Sequence, residues 1–216
     1  MTNIHECQPT PWLTTLMTVL RDETSTRDEF RTAAELLGDY LVMEAVDRGL
    51  IPTVSKRITT STSAKVEGLL IDKQKSIVAI PILRAGSAFT RSVLRLVSPS
   101  IPIAHLVIQR DEATALPITL LDKLPCDIAD ADCVLVLDPM LATGGSINAA
   151  INVLVRKGVA EEKIVILHGV GCPEGVAAVS TAFPKVRGIV AVVDSHLNER
   201  KYILPGLGDF GDRYFC

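Results

Sequence analysis

Residues 133–159, CVLVLDPMLATGGSINAAINVLVRKGV, run five apolar side chains straight into an aspartate, then a loop of small and hydroxyl residues, then a helical pattern. A continuous apolar run of this length fits a strand buried on both faces, as central parallel sheets require. Ile147, Ile151, Leu154 and Val155 recur at helical spacing, and Arg156, Lys157 and Gly158 close that helix. Asp138 therefore leaves the core at the carboxyl end of a strand.

The same alternation extends along the chain. Apolar runs at 76–82, 101–108, 133–137, 164–168 and 188–193 are read as strands. Helical patterns fill the gaps, through Phe89, Val93, Leu96 and Val97 and later Val176, Val179 and Phe183. The expected fold is α/β, a mostly parallel five-stranded sheet flanked by helices, in one domain spanning 1–216. Two helices precede it, at 11–21 and 26–48; the second opens with Thr26 and Glu29 as a capping box and stops at Gly49. Residues 52–75 are polar and rich in Thr and Ser, with strand signals too weak to resolve. Open α/β sheets bind ligands at the carboxyl ends of their strands, so function is expected after 82, 108, 137 and 193.

The loop after 137 has the parts of an anion cradle. Glycines 144 and 145 let the backbone approach a phosphate, the following helix offers unpaired amide hydrogens, and Thr143 and Ser146 add hydroxyls. Those parts suit a phosphate monoester, here a phosphorylated ribose; a plain strand-to-helix turn capped by Thr143 or Ser146 reads equally well from this loop alone. No GxxxxGK[ST] is present. Near the end, PGLGDFG matches GxGxxG formally from Gly206 to Gly211, but no apolar strand feeds it, and only five residues follow. It is not expected to open a helix, and a dinucleotide site is rejected.

A net charge of −3 lacks the basic footprint of a nucleic-acid binder. Five cysteines without CxxC spacing fit reduced thiols of an intracellular protein, with Cys133 and Cys172 as packing residues. No leader and no apolar run of about 18 residues is seen, so a cytoplasmic protein without membrane contact is expected. His168, inside an apolar run, is read as a core histidine.

Three segments, PILRAG (81–86), LDPMLATGGS (137–146) and LNERKYILPGLGDFGDRYF (197–215), together resemble uracil phosphoribosyltransferases. The last carries the specificity, and weaker similarity reaches LRDETSTRDEFR (20–31). The resemblance implies the type I phosphoribosyltransferase fold with a small hood formed by terminal segments. It implies transfer of phosphoribose from phosphoribosyl pyrophosphate (PRPP) to uracil, giving uridine monophosphate (UMP) and pyrophosphate. By similarity, Asp138, Pro139, Met140, Leu141, Ala142, Thr143, Gly144, Gly145 and Ser146 would hold the ribose 5-phosphate, with Asp138 facing the ribose hydroxyls. Arg84 and Arg110 would contact the pyrophosphate. Ile203 and the backbone of Gly208, Asp209 and Phe210 would receive uracil, with Tyr202 beside the base and Asp209 also facing PRPP. Gln109 stands where the family usually has tyrosine, and Cys216 where many relatives carry glycine.

The chemistry agrees with that assignment. Cleaving the anomeric bond builds positive charge on ribose and negative charge on pyrophosphate, which Arg84 and Arg110 can stabilise. Mg2+ is expected, held mainly by substrate and water. Uracil offers two acceptors flanking a donor, a pattern that backbone amides and a carbonyl can match without side chains, whereas cytosine reverses part of it. Asp209 is the candidate for proton or water handling. Family relatives also imply a homodimer or homotetramer and a GTP effector. The alternative is a catalytically silent nucleotide sensor on the same fold.

Overall fold

The structure, a computed structural model, describes the backbone of residues 3–110 and 117–216, and the side chains of 3–108 and 123–216. The chain begins β1 (Ile4–Glu6), α1 (Pro11–Arg21), α2 (Arg27–Asp47), β2 (Thr53–Thr59), β3 (Lys65–Ile71), β4 (Ile77–Leu83), α3 (Thr90–Leu96), β5 (His105–Arg110) and β6 (Pro117–Lys123). It continues β7 (Cys133–Leu137), β8 (Met140–Leu141), α4 (Gly145–Arg156), β9 (Ile164–Gly171), α5 (Pro173–Ala182), β10 (Arg187–Val193), β11 (His196–Leu197), β12 (Ile203–Leu204) and α6 (Phe210–Phe215).

The sheet order is β1-β10-β9-β7-β4-β5-β6. The five expected strands are its parallel centre; β1 adds a parallel edge and β6 an antiparallel one, so the sheet is wider than the five strands read from sequence. The apolar run of β7 shows why both faces must be covered. Cys133, Leu135 and Leu137 pack with α1, α2 and α3, whereas Val134 and Val136 pack with Ile147, Ile151 and Leu154 of α4. All five strand residues are at most 1% exposed.

α1 covers the predicted range, capped by Thr10, whose hydroxyl accepts from the Leu13 amide. α2 begins with the expected reciprocal capping box between Thr26 and Glu29. Residues 53–71, unresolved from sequence, form the antiparallel β2–β3 hairpin, and it stands outside the main sheet. The pairs Val54–Leu70 and Ile58–Val66 lie on one face of it, and all four side chains are exposed.

One expectation is overturned at the carboxyl terminus: the glycine cluster does open a helix. Asp209 is the cap of α6, its Oδ1 accepting from the Asp212 amide, so six residues and one Asp-x-x-Asp spacing were enough. The helix is pinned by tertiary contacts rather than length. Phe210 meets Phe30 at 5.3 Å edge-on and stacks on Tyr214 at 5.7 Å, and Arg31 Nε donates to the Tyr214 carbonyl at 2.6 Å. The two ends of the chain thus meet as a hood beside the turn that follows β4.

Candidate active site

Three strand ends build one cavity of about 520 Å³. The turn after β4 gives Arg84 and Ala85, the loop after β7 gives Asp138, Met140 and Ala142, and the segment after β10 gives residues 200–203 and 208–211. The loop expected to meet a sugar phosphate and the loop expected to meet a base therefore open on the same space.

The β7 loop is locked to its neighbours. The Pro139 carbonyl accepts from the amides of Gly169 and Val170 at 3.0 and 2.9 Å, and Met140–Leu141 adds the short strand β8 beside β9. Leu141 is buried in the core, and its carbonyl accepts from the Cys172 amide at 3.2 Å, so it anchors the loop between the lining residues Met140 and Ala142. Gly175 allows α5 to close on this loop, because a Cβ there would lie 2.5 Å from the Ala142 carbonyl oxygen. Thr143 Oγ1 accepts from the Gly145 amide at 3.3 Å, and Gly144, at φ +77°, turns the chain into α4. Thr143, Gly144, Gly145 and Ser146 continue past the cavity's lining into the first turn of α4, where unpaired amides collect.

Asp138 is nearly buried, and among the described residues its carboxylate accepts one weak contact, from the Met140 amide at 3.4 Å; burial pushes the carboxyl up to about 7. His168 lies beneath it, fully buried as expected, with Nδ1 on the Asp138 carbonyl oxygen. Arg84 reaches in from the turn after β4, the strand paired with β7, exposed, 3.8 Å from Asp212 and 5.6 Å from the Phe215 ring centroid. Arg110 ends β5, but its side chain, like that of Gln109, lies outside the described residues.

On the base side, Ile203 is buried, Tyr202 is half exposed at the rim, and Gly208 takes φ +82°. Phe210 borders the cavity with its ring held in the aromatic cluster of Phe30, Phe89 and Tyr214, so the ring closes the hydrophobic edge. Asp209 stands at the mouth, one oxygen engaged as the α6 cap. His196 is turned to Ser195 at 2.8 Å and is not part of the lining.

Four residues escaped the sequence reading. Arg200 and Lys201 line the cavity and, with Arg84, give it three cations against Asp138 and Asp209. Arg21 and Asp194 sit behind the base loop and pair bidentately, at 2.6 and 2.9 Å. Asp194 carried a readable signal, since it ends the apolar run of β10 as Asp138 ends that of β7.

Comparison with known proteins places this geometry. The family model for uracil phosphoribosyltransferase matches residues 7–216. A uracil phosphoribosyltransferase of Dictyostelium discoideum is 42% identical over 93% of this chain and 90% of its own length, and one of Saccharomyces cerevisiae is 38% identical over 99% and 96%. The solved AQ2163 protein from Aquifex aeolicus superposes with a TM-score of 0.84 at 31% identity, covering 98% of this chain and 97% of the other. An adenine phosphoribosyl transferase from Trypanosoma brucei, at 10% identity and a TM-score of 0.54 over 89% and 84%, shares the fold.

Proposed function

The chain belongs to the uracil phosphoribosyltransferase family, and on that premise we propose how it transfers 5-phosphoribose from PRPP to uracil in pyrimidine salvage. The observation that carries the mechanism is the single cavity shared by the Asp138 loop and the 202–211 loop.

The ribose 5-phosphate rests at the start of α4, where Thr143–Ser146 supply amides and hydroxyls and the helix dipole favours an anion. Asp138 accepts from the ribose hydroxyls. Its raised carboxyl is relieved by those donors, because a hydrogen-bonded carboxylate ionises more readily than a bare buried one. Arg84, with Arg110, Arg200 and Lys201, takes the negative charge that grows on pyrophosphate as the bond from the anomeric carbon to oxygen breaks. Uracil N1 forms the new bond to that carbon, and its proton leaves through Asp209 or a water that Asp209 holds.

Base choice is made by backbone. The Ile203 and 208–210 peptide groups meet the two carbonyls and the N3–H of uracil, and cytosine places an amino donor against a donor. A site that loses a hydrogen bond in this way can discriminate by about 10⁴.

Magnesium is proposed as well, supported by the two carboxylates on the cavity, Asp138 and Asp209, which could take one or two positions on an ion whose remaining ligands would be pyrophosphate oxygens and water. Such an ion would neutralise the pyrophosphate charge during departure.

A homodimer or homotetramer is also proposed, supported by the apolar face of the β2–β3 hairpin, since an isolated hairpin is marginal in water. A cytosolic location is supported by five free cysteines; among the described residues no helix is long and apolar enough to cross a membrane. GTP is proposed as an effector from the family resemblance.

The test is a base panel with Mg2+ and PRPP, run with and without GTP. Uracil should be converted to UMP and cytosine left untouched. Nucleotide binding without turnover of any base would favour the silent sensor instead.

A further inference from the structure

Gly206 is held at both of its polar groups by one ion pair behind the base loop. Its amide donates to Asp194 Oδ2 at 2.8 Å, and its carbonyl accepts from Arg21 Nη1 at 2.9 Å. The same Nη1 donates to Asp194 Oδ2 at 2.9 Å, while Nη2 donates to Oδ1 at 2.6 Å. Asp194 is 6% exposed, and its own amide donates to the Gly171 carbonyl at 2.8 Å, so the carboxylate is anchored to the sheet. Arg21 ends α1, so the pair joins the first helix, the last long strand and the base loop.

No side chain can replace Gly206. It adopts φ +62°, and a Cβ would lie 2.1 Å from the Ile203 carbonyl oxygen. One residue on, the Leu207 carbonyl accepts from Arg213 Nη1 at 2.9 Å, and that guanidinium lies 4.4 Å from the Phe30 ring centroid. Gly206 and Leu207 are buried and lie behind the cavity; Gly208 and Asp209 face it. Backbone that reads a base cannot change its chemistry, only its position. What fixes that position fixes selectivity, and two charged side chains with good geometry hold it more firmly than neutral contacts.

We propose that Arg21 and Asp194 are positioning residues for base recognition, setting the affinity of the 206–210 backbone for uracil and its rejection of cytosine. This rests on the uracil transfer proposed above. Neither side chain touches the base or PRPP; both act through Gly206.

Arg21→Lys and Asp194→Asn test it. A lysine supplies one point charge and cannot serve Asp194 and Gly206 together as the guanidinium fork does. Asparagine keeps the shape and an acceptor but loses the bidentate charged pair. Both variants should raise the KM for uracil about tenfold or more, as expected for losing a charge-assisted contact, with the KM for PRPP within about twofold. The ratio of uracil to cytosine turnover should fall in the same variants. Thr26→Ala, which removes the α2 cap outside the cavity's lining and touches neither Arg21, Asp194 nor Gly206, serves as the stability control: it should lower the thermal midpoint and leave the uracil KM alone.

Unchanged uracil KM in both variants, or equal rises for uracil and PRPP, would overturn the proposal. So would failure of both variants to fold, judged by circular dichroism, because the pair would then be a folding determinant. Wild-type protein run alongside separates the two layers: no uracil turnover there defeats the activity itself, not the positioning role.

Discussion

His168 Nδ1 lies 2.6 Å from the carbonyl oxygen of Asp138. A carbonyl only accepts, so Nδ1 carries the proton and the neutral ring leaves Nε2 bare, without a hydrogen-bond partner among the described residues. The Asp138 carboxylate and a buried imidazole are therefore mechanically joined through one peptide group, and burial shifts the two in opposite senses.

Asp138 is the first of the two to test. Burial raises its carboxyl from 3.8 to about 7. Between those values the folded protein binds more protons than the unfolded chain, so this group's contribution to stability falls as pH rises from 3.8 to 7 and is flat above. Asp138→Asn removes that loss. Its thermal midpoint should exceed wild type at pH 8, and the gain should vanish near pH 4. The difference corresponds to at most about 4 kcal/mol, less where water in the cavity reaches the carboxylate. Turnover should drop in the same variant. A gain that is equal at pH 4 and pH 8 would contradict the assignment.

His168 predicts the opposite slope. Burial lowers its pKa from 6.5 to about 4, so between those values the unfolded chain binds more protons. Stability falls as pH drops from 6.5 towards 4, by about 3 kcal/mol at the lower end. His168→Gln keeps a buried polar group that does not titrate. Urea unfolding at pH 7 and pH 4.5 should show a smaller difference for this variant than for wild type; an identical difference would remove His168 from the acid limb.

Gly86 is the close contact between the β4 turn and the end of β7. A Cβ there would meet the Leu137 carbonyl oxygen at 2.1 Å and Pro81 Cα at 3.1 Å, both backbone atoms that cannot swing aside. Gly86→Ala should destabilise the protein by about 3 kcal/mol. It should also depress turnover, because Arg84 and Asp138 stand at the two strand ends that would be forced apart. A thermal midpoint equal to wild type would show that the turn relaxes freely.

The sheet was legible because apolar runs such as 133–137 are long, continuous and flanked by helical spacing; each run holds a strand, although the one read at 101–108 begins only at His105 and the one read at 164–168 continues to Gly171. Edges were not. Pro117–Lys123 carries Asp122 and Lys123 inside its strand, and the 53–71 hairpin is polar along most of its length, so neither gave a clean period. α6 was missed because its stability comes from Phe30, Arg31 and Tyr214 rather than from length or propensity. The site divided the same way. Asp138, Arg84 and the 202–210 segment were found from motifs, but Arg200 and Lys201 are ordinary loop cations in sequence and become site residues only through the fold of the hood.

Arg84 separates binding from stability most cleanly. Its side chain is 66% exposed, and its ionic partner Asp212, 3.8 Å away, is 70% exposed. Such a pair contributes no more than about 1 kcal/mol to folding, so Arg84→Ala should leave the thermal midpoint nearly unmoved. A guanidinium on pyrophosphate is another matter, because it meets a charge that increases as the anomeric bond breaks. Its removal should therefore raise the KM for PRPP and lower kcat together, by about tenfold or more in kcat/KM. Arg84→Lys keeps the charge but not the fork, and should fall between wild type and alanine. The uracil KM at saturating PRPP should stay near wild type, since the proposed base contacts are backbone groups of the 203–210 segment and not the guanidinium. Steady-state kinetics with each substrate varied in turn decides it: an Arg84→Ala enzyme with unchanged PRPP dependence would leave Arg84 as a surface residue, and the leaving group would have to be held by Arg200, Lys201 and Arg110 alone.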